Sequence, residues 1–332
     1  MHVLVTGGTG FIGSHTVVSL IEAGHDVEVA DNLSNSGPWA LDGIEQITGV
    51  RPRFHQVDVG DPNDLEPVVN GAGFEAVLHF AAFKAVGESV AQPLRYYENN
   101  VAGTIRLLEV LTRHHVRNVV FSSSCTVYGD PVDLPVTEES PTGAGTNPYG
   151  WSKIMMEQVL SDVVVADPDW SVALLRYFNP VGAHSSALLG ELPTGTPPNL
   201  MPYVTRVAAG KLPVVKVFGT DYPTPDGTAI RDYVHVVDVA EGHVMALDKL
   251  NGRPGRHVYN LGTGRGSTVL EVIRTFGATT GVDLPWEPHP RRPGDVAATW
   301  ASVAKAGREL GWAPRFDLAD MCTDAWRWEQ KQ

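Results

Sequence analysis

His2-Val3-Leu4-Val5-Thr6-Gly7-Gly8-Thr9-Gly10-Phe11-Ile12-Gly13 stands near the N-terminus of this 332-residue chain. The apolar run reads as a buried strand, and Gly7, Gly10 and Gly13 follow it at three-residue intervals. A tight turn needs the first glycine, close approach of backbone to a pyrophosphate the second, and packing of the next helix near the strand the third. That helix, read as Ser14–Ala23, would offer free N–H groups and the positive end of its dipole to a phosphate. Asp31 lies 18 residues past Gly13, at the end of a second strand read as Val27–Ala30. A carboxylate there binds both ribose hydroxyls of NAD and repels the extra phosphate of NADP. Strand, turn, helix and acid in register predict a dinucleotide site for NAD. Asp58, followed by Val59 after a third strand, is an adenine contact or else a helix cap or loop residue.

Outward from this turn, short apolar runs alternate with helix-like stretches. Arg53–Val57, Ala76–Phe80 and Asn118–Ser122 read as later strands, and Pro93–His115 and Pro148–Val165 as helices. The alternation predicts an α/β fold, a Rossmann-type doubly wound parallel sheet covered on both faces. Beyond Tyr177 proline and glycine cluster at 190–202 and 219–227, with shorter elements at 201–209, 237–250, 269–276 and 303–310. Residues 1–176 are therefore expected to form the dinucleotide-binding domain. Residues 177–332 would form a smaller mixed α/β substrate region that shares strands with it.

Hydrophobic residues make up 43% and charged residues 19% of the chain, an ordinary globular composition. The net charge of −13 argues against DNA or RNA, which need a basic face, but leaves room for a small anion held by a few arginines. Cys125 and Cys322 form neither a disulfide framework nor a C-x-x-C site. The twelve histidines show no metal spacing, so no metal is expected, and His79 and His235 at strand ends read as structural or pocket-lining. No signal peptide and no membrane helix are expected, and the protein is placed in the cytoplasm.

Ser122-Ser123-Ser124 follows an apolar strand, which brings hydroxyls to the carboxyl edge of the sheet, where such folds bind ligands. Tyr149 and Lys153 are four apart at the start of a helix, so they share one face. A phenol titrates near pH 10, too high for a base at neutral pH. A nearby ammonium and a positive nicotinamide are expected to lower it, which asks for roughly 4 kcal/mol of differential interaction. On its own the Tyr–Lys spacing is an ordinary helix start. After an NAD-type turn and a strand-end serine cluster it reads as catalytic.

These residues resemble the extended short-chain dehydrogenase/reductase family, and within it the UDP-galactose 4-epimerases. The likeness is carried by Asp31-Asn32-Leu33-Ser34-Asn35-Ser36, His79-Phe80-Ala81-Ala82-Phe83-Lys84-Ala85-Val86-Gly87-Glu88-Ser89-Val90 and Tyr97-Glu98-Asn99-Asn100. Leu174–Ala183, Asn199-Leu200-Met201-Pro202, Arg231-Asp232-Tyr233-Val234-His235 and Arg291-Arg292-Pro293-Gly294-Asp295 carry it through the rest of the chain. The resemblance implies a cofactor site that also takes in Phe11, Ile12, Asn32, Asn35, Ser36, Phe80, Ala81, Ala82, Lys84, Asn99, Ser122, Tyr177 and Phe178. It implies a UDP-sugar site of Lys84, Ser124, Thr126, Tyr149, Phe178, Asn179, Asn199, Leu200, Phe218, Arg231, Tyr233, Arg292, Asp295 and Thr299. Arg231 and Arg292 suit a pyrophosphate clamp, since a guanidinium meets phosphate through two parallel bonds. An ion pair with Asp232 or Asp295 is the plainer reading of each.

The chemistry so implied is NAD-dependent inversion at C4 of a UDP-hexose through a 4-keto sugar. Tyr149 would serve as base, Ser124 would hydrogen-bond the same oxygen, and NAD would stay bound through each cycle. Trp151 is expected to point away from the catalytic face. Thr299 stands where some relatives carry a bulky tyrosine, and its small side chain suggests room for an N-acetyl group. A 4,6-dehydratase needs an acid after the strand-end serine, where this chain has Cys125 and Thr126. UDP-pentose or UDP-uronate epimerisation remains an alternative, and a non-catalytic NAD sensor is disfavoured because Tyr149 and Lys153 are both present. Helices 93–115 and 149–165 both carry apolar faces, and the resemblance implies that they pair across a two-fold in a homodimer.

Overall fold

The computed structural model describes residues 1–292 and 294–332; Pro293, quoted above within the Arg291–Asp295 stretch, lies outside the described residues. Seven parallel strands form the central sheet. In chain order they begin with β1 (His2–Thr6), β2 (Asp26–Ala30), β3 (Arg53–His55), β4 (Ala76–His79), β5 (Asn118–Ser124) and β6 (Ser171–Tyr177). Gly255–Leu261 supplies the seventh, paired with β6, and the spatial order runs from it through β6, β5, β4, β1 and β2 to β3. The chain order reverses between β1 and β4, which opens a crevice at their carboxyl ends.

Alternation along β1 explains the layers. Val3 and Val5 face one core with Val17 and Leu20 of α1 (Phe11–Glu22), Ile44 of α2 (Trp39–Thr48) and Val239 of the helix Val236–Leu250. Leu4 faces the other core, with Leu65 of α3 (Pro62–Val69), Leu107 and Leu111 of the helix 103–113, and Met156 and Leu160 of the helix 148–166. Sheet strands buried on both faces read as near-continuous apolar runs, as β4 and β6 do.

Several boundaries differ from those expected. α1 starts at Phe11 rather than Ser14, so its free N–H groups sit within the glycine turn itself. β5 runs on to Ser124 because residues 122–124 continue in register with Leu175–Tyr177. β3 stops at His55, two residues early. The stretch expected as one helix from Pro93 to His115 divides into α5 (Pro93–Tyr96), a π-helical segment (Tyr97–Ala102) and α6 (Gly103–Arg113), preceded by α4 (Val86–Ala91). The side chain of Asn100 in the π segment satisfies the backbone of Phe83 in both directions, which ties that segment to the end of β4. α7 spans Pro148–Ala166; Asn147 caps it by accepting from the Gly150 N–H at 2.9 Å.

The region after Tyr177 has its own core around Val204, Val217, Phe276 and Met321. It joins the central sheet through Gly255–Leu261, and Asp232 fixes the loop that follows this strand. The fully buried Asp232 carboxylate accepts from the backbone of Thr263, Gly264 and Ala301 and from the Thr263 hydroxyl, at 2.6–3.1 Å. No described helix is long and apolar enough to cross a membrane. Asp232→Asn would put an amide N–H against a backbone donor, so it should lose about 2–3 kcal/mol, read as a lower urea midpoint with an unchanged slope.

Candidate active site

The glycine turn is built by exclusion. Gly7 adopts a left-handed φ of +71°, and a Cβ there would lie 2.6 Å from the backbone nitrogen of Ala81. A Cβ on Gly13 would lie 2.2 Å from the Gly7 carbonyl oxygen. Only bare backbone lets β1, the start of α1 and the end of β4 meet. The cap residue of α1, Gly10, offers no side-chain acceptor, so the first N–H groups of that helix remain available to an anion. Asp31 is fixed by the Thr9 N–H (3.2 Å), the Leu33 N–H (2.8 Å) and the Ser36 hydroxyl (3.1 Å).

A cavity of about 570 Å³ runs along this edge. Every cofactor residue read from the sequence lines it except Phe178, which instead packs with Val127, Tyr128, Val136 and Ala301. Thr9, Trp39 and His79 line it as well. His79 is held between Thr6 and Thr104 at 2.7 and 3.0 Å, and burial drives its pKa down to about 3, so it is neutral. Asp58 lines the cavity and accepts from the Gly60 N–H at 2.9 Å as a loop residue, while Asp61 caps α3. Bare turn, open helix end and fixed carboxylate together fit NAD.

Tyr149 and Lys153 project from the first turns of α7 toward the end of β5, and both are buried. The Lys153 ammonium donates to the Ser122 carbonyl at 2.7 Å and lies 5.9 Å from the Tyr149 ring centroid. Ser122 shares a 2.7 Å hydrogen bond with the Tyr177 hydroxyl. Ser124, the last residue of β5, accepts from the Thr126 N–H at 3.3 Å and lies beside Tyr149. The expected acidification of Tyr149 by its neighbour is not what the protein groups produce. Burial pushes the phenol well above its ordinary value, Tyr177 adds to this, and the neighbouring Ser124 hydroxyl only partly opposes it. Burial likewise brings Lys153 down to about 7, with Glu157 opposing. Both charged forms lose hydration in the same place, and that loss outweighs the attraction expected from helix spacing alone.

The remaining residues expected at the sugar nucleotide gather beyond the cavity. Arg231 meets Asp295 at 2.5 Å, Arg292 meets the other oxygen of Asp295 at 3.4 Å, and Arg292 stacks over the Phe218 ring at 5.1 Å. The plainer reading of Arg231 thus holds for Asp295 and fails for Asp232, whose carboxylate is taken by backbone donors. Asn179 and Tyr233 are paired in register on adjacent short strands, as are Thr299 and Arg231. Among the described residues the buried Asn179 Oδ1 and Thr126 Oγ1 have no hydrogen-bond partner, which suits groups that meet a ligand. Asn199 caps the helix that starts at Leu200. Glu191, unread from the sequence, accepts from Lys84 at 2.7 Å and from Asn199 at 2.9 Å, and so joins the two halves. No spacing signal marked it, since its partners are 107 and 8 residues away. Trp151 is part-exposed and packs over Gly145, away from the catalytic face. The two thiols are free, and no three His, Cys, Asp or Glu side chains gather as metal ligands among the described residues.

The sequence pattern of the NAD dependent epimerase/dehydratase family matches residues 3–262. The chain is 54% identical over 329 residues to a UDP-glucose 4-epimerase of Bacillus subtilis (strain 168), covering 99% of this chain and 97% of that one. Its fold superposes on the UDP-glucose 4-epimerase of Bifidobacterium longum in complex with NAD+ and UDP, with a TM-score of 0.97 and 52% identity over 100% of this chain and 98% of that one. A Stenotrophomonas maltophila UDP-glucose-4-epimerase with bound NAD and formylated UDP-arabinopyranose also gives 0.97, at 51% identity over 100% and 98%. Gly13→Ala should yield protein that carries little or no dinucleotide, measured by chromatography of the nucleotides released on denaturation; stoichiometric NAD in that variant would contradict the turn geometry.

Proposed function

The chain belongs to the NAD dependent epimerase/dehydratase family, and from that premise we propose that it interconverts UDP-galactose and UDP-glucose by inverting C4 of the hexose. It is an isomerase that uses NAD and a UDP-sugar. The observation that carries this reading is the buried Tyr149–Lys153 pair at the cavity, with Ser124 beside the phenol. Residues 1–176 mainly serve the dinucleotide and 177–332 mainly the UDP-sugar, with Tyr177 from the second region lining the cofactor cavity and Ser124 and Tyr149 from the first facing the sugar.

NAD, when bound, supplies the reversible oxidation of the C4 alcohol and brings a positive charge to the site. Tyr149 takes the C4 hydroxyl proton on Oη and later returns it. Ser124 hydrogen-bonds the same sugar oxygen, and Lys153 keeps positive charge behind the phenol, where a desolvated phenolate needs it. Arg231 and Arg292, already drawn together by Asp295, hold the pyrophosphate. A firm grip on UDP and a loose grip on the hexose let the ring present its other face between the two halves of the reaction.

Thr299 supports acceptance of the N-acetylated hexoses, because it is small, buried and in register with Arg231. Apolar side chains left exposed on α5, α6 and α7 support a homodimer: Leu94, 81% exposed, with Ile105, Trp151 and Met155. Large apolar side chains this exposed on neighbouring helices gain by being covered by a second copy.

Tyr149→Phe should lower turnover of UDP-galactose by about a thousandfold or more, the scale of losing a positioned acid–base, while NAD stays bound. Near-normal activity in that variant would refute the assignment. In the parent, turnover of UDP-galactose without any of UDP-GalNAc would reject the N-acetyl reading alone. Leu94→Glu combined with Trp151→Glu should sediment as a monomer where the parent sediments as a dimer; a monomeric parent would dispose of the interface.

A further inference from the structure

Behind the reacting groups lies a buried polar network that the chemistry above leaves without a task. Glu157 and Arg176 are 6% and 4% exposed and form a two-point ion pair, Nε to Oε1 at 2.9 Å and Nη2 to Oε2 at 2.7 Å. Burying two charges costs more hydration than the pair readily returns, so such a pair is poor support for stability by itself. Besides a 3.3 Å bond from Arg176 Nη1 to the Glu138 carbonyl, the pair bonds to one short segment of chain. Ser123 donates to Glu157 Oε1 at 2.6 Å, and Arg176 Nη1 donates to the Tyr128 hydroxyl at 3.1 Å. Tyr128 in turn donates to Asn260 Oδ1 at 2.6 Å.

Ser123 sits between Ser122, whose carbonyl receives Lys153, and Ser124, which meets Tyr149. Tyr128 closes the single turn, Cys125–Tyr128, that follows Ser124. The segment carrying Ser124 is therefore held from the rear at both ends by one ion pair. Glu157 also lies one helical turn after Lys153 on α7. We propose that the Glu157–Arg176 pair is a positioning device for the epimerisation, gripping Ser123 and Tyr128 so that Ser124 and the Ser122 carbonyl meet Tyr149 and Lys153 in the reacting arrangement. Neither residue lines the cavity, so the pair acts through its neighbours. Because Glu157 opposes the loss of the Lys153 proton on burial, its charge acts in the same direction as its grip. The inference rests on the epimerase reading.

Ser123→Ala and Tyr128→Phe test it, because each removes one grip and leaves both charges paired. With UDP-galactose as substrate, and rates counted per NAD-loaded site, kcat should fall by about tenfold or more, as small misplacements of reacting groups do. The KM, the affinity for UDP by calorimetry and the NAD content should stay at parental values, with the melting temperature shifted by a few degrees at most. A merely structural pair would lower the melting temperature and spare kcat per loaded site. Should Ser123→Ala fail to fold, Tyr128→Phe decides. Parental kcat in the folded variants, or a loss carried wholly by KM, overturns the inference while leaving the reaction intact. A parent that does not turn over UDP-galactose overturns the reaction and the inference together.

Discussion

Desolvation of two opposite ionisable groups at one strand end governs this molecule. Lys153 loses most of its hydration where its ammonium meets the Ser122 carbonyl, and Tyr149 loses its own a few ångströms away. Burial disfavours the ammonium and the phenolate alike. Burial is the largest cause of both shifts, and each charged form needs opposite charge nearby to offset its lost hydration.

The doubly wound sheet makes that arrangement available. Reversal of strand order between β1 and β4 opens the crevice for the dinucleotide, and β5 and β6 carry Ser122, Ser124 and Tyr177 to the same edge. α7 descends onto that edge from a capped start at Asn147, which sets where Tyr149 enters. The region after Tyr177 then adds arginines from a strand, Ile230–Arg231, and from the loop that holds Arg292, gathered by Asp295. The arginine cluster and the glycine turn thus come from different parts of the chain, and Tyr149 lines the cavity beside the turn.

Much of this was legible in residue order because local rules govern it. Gly7, Gly10 and Gly13 declare a turn whose backbone has no room for Cβ, and Asp31 declares the following strand end. The four-residue interval between Tyr149 and Lys153 declares a shared helix face. Element bounds were read less well: β5 runs to Ser124 because β6 continues alongside it, and pairing partners across a sheet leave no mark on the strand's own residues. The π-helical turn at 97–102 was equally silent, since Asn100 earns it through the backbone of Phe83, 17 residues away.

By itself, then, the sequence determined the α/β class, the NAD-type turn, the Ser–Tyr–Lys set and, by resemblance, the gathering of Arg231, Arg292 and Asp295. Tertiary structure alone decided the electrostatics. Helix spacing suggests an ammonium that acidifies a phenol, whereas the packed core around β5 and α7 removes water from both and pushes the phenol the other way. It also decided that Asp232 serves backbone donors rather than Arg231, that Glu191 joins Lys84 to Asn199, and that Glu157 and Arg176 stand behind the strand end. Hydration is lost through neighbours distant in sequence. The sign of a charge effect follows from the whole fold, while a turn or a helix face follows from a few consecutive residues.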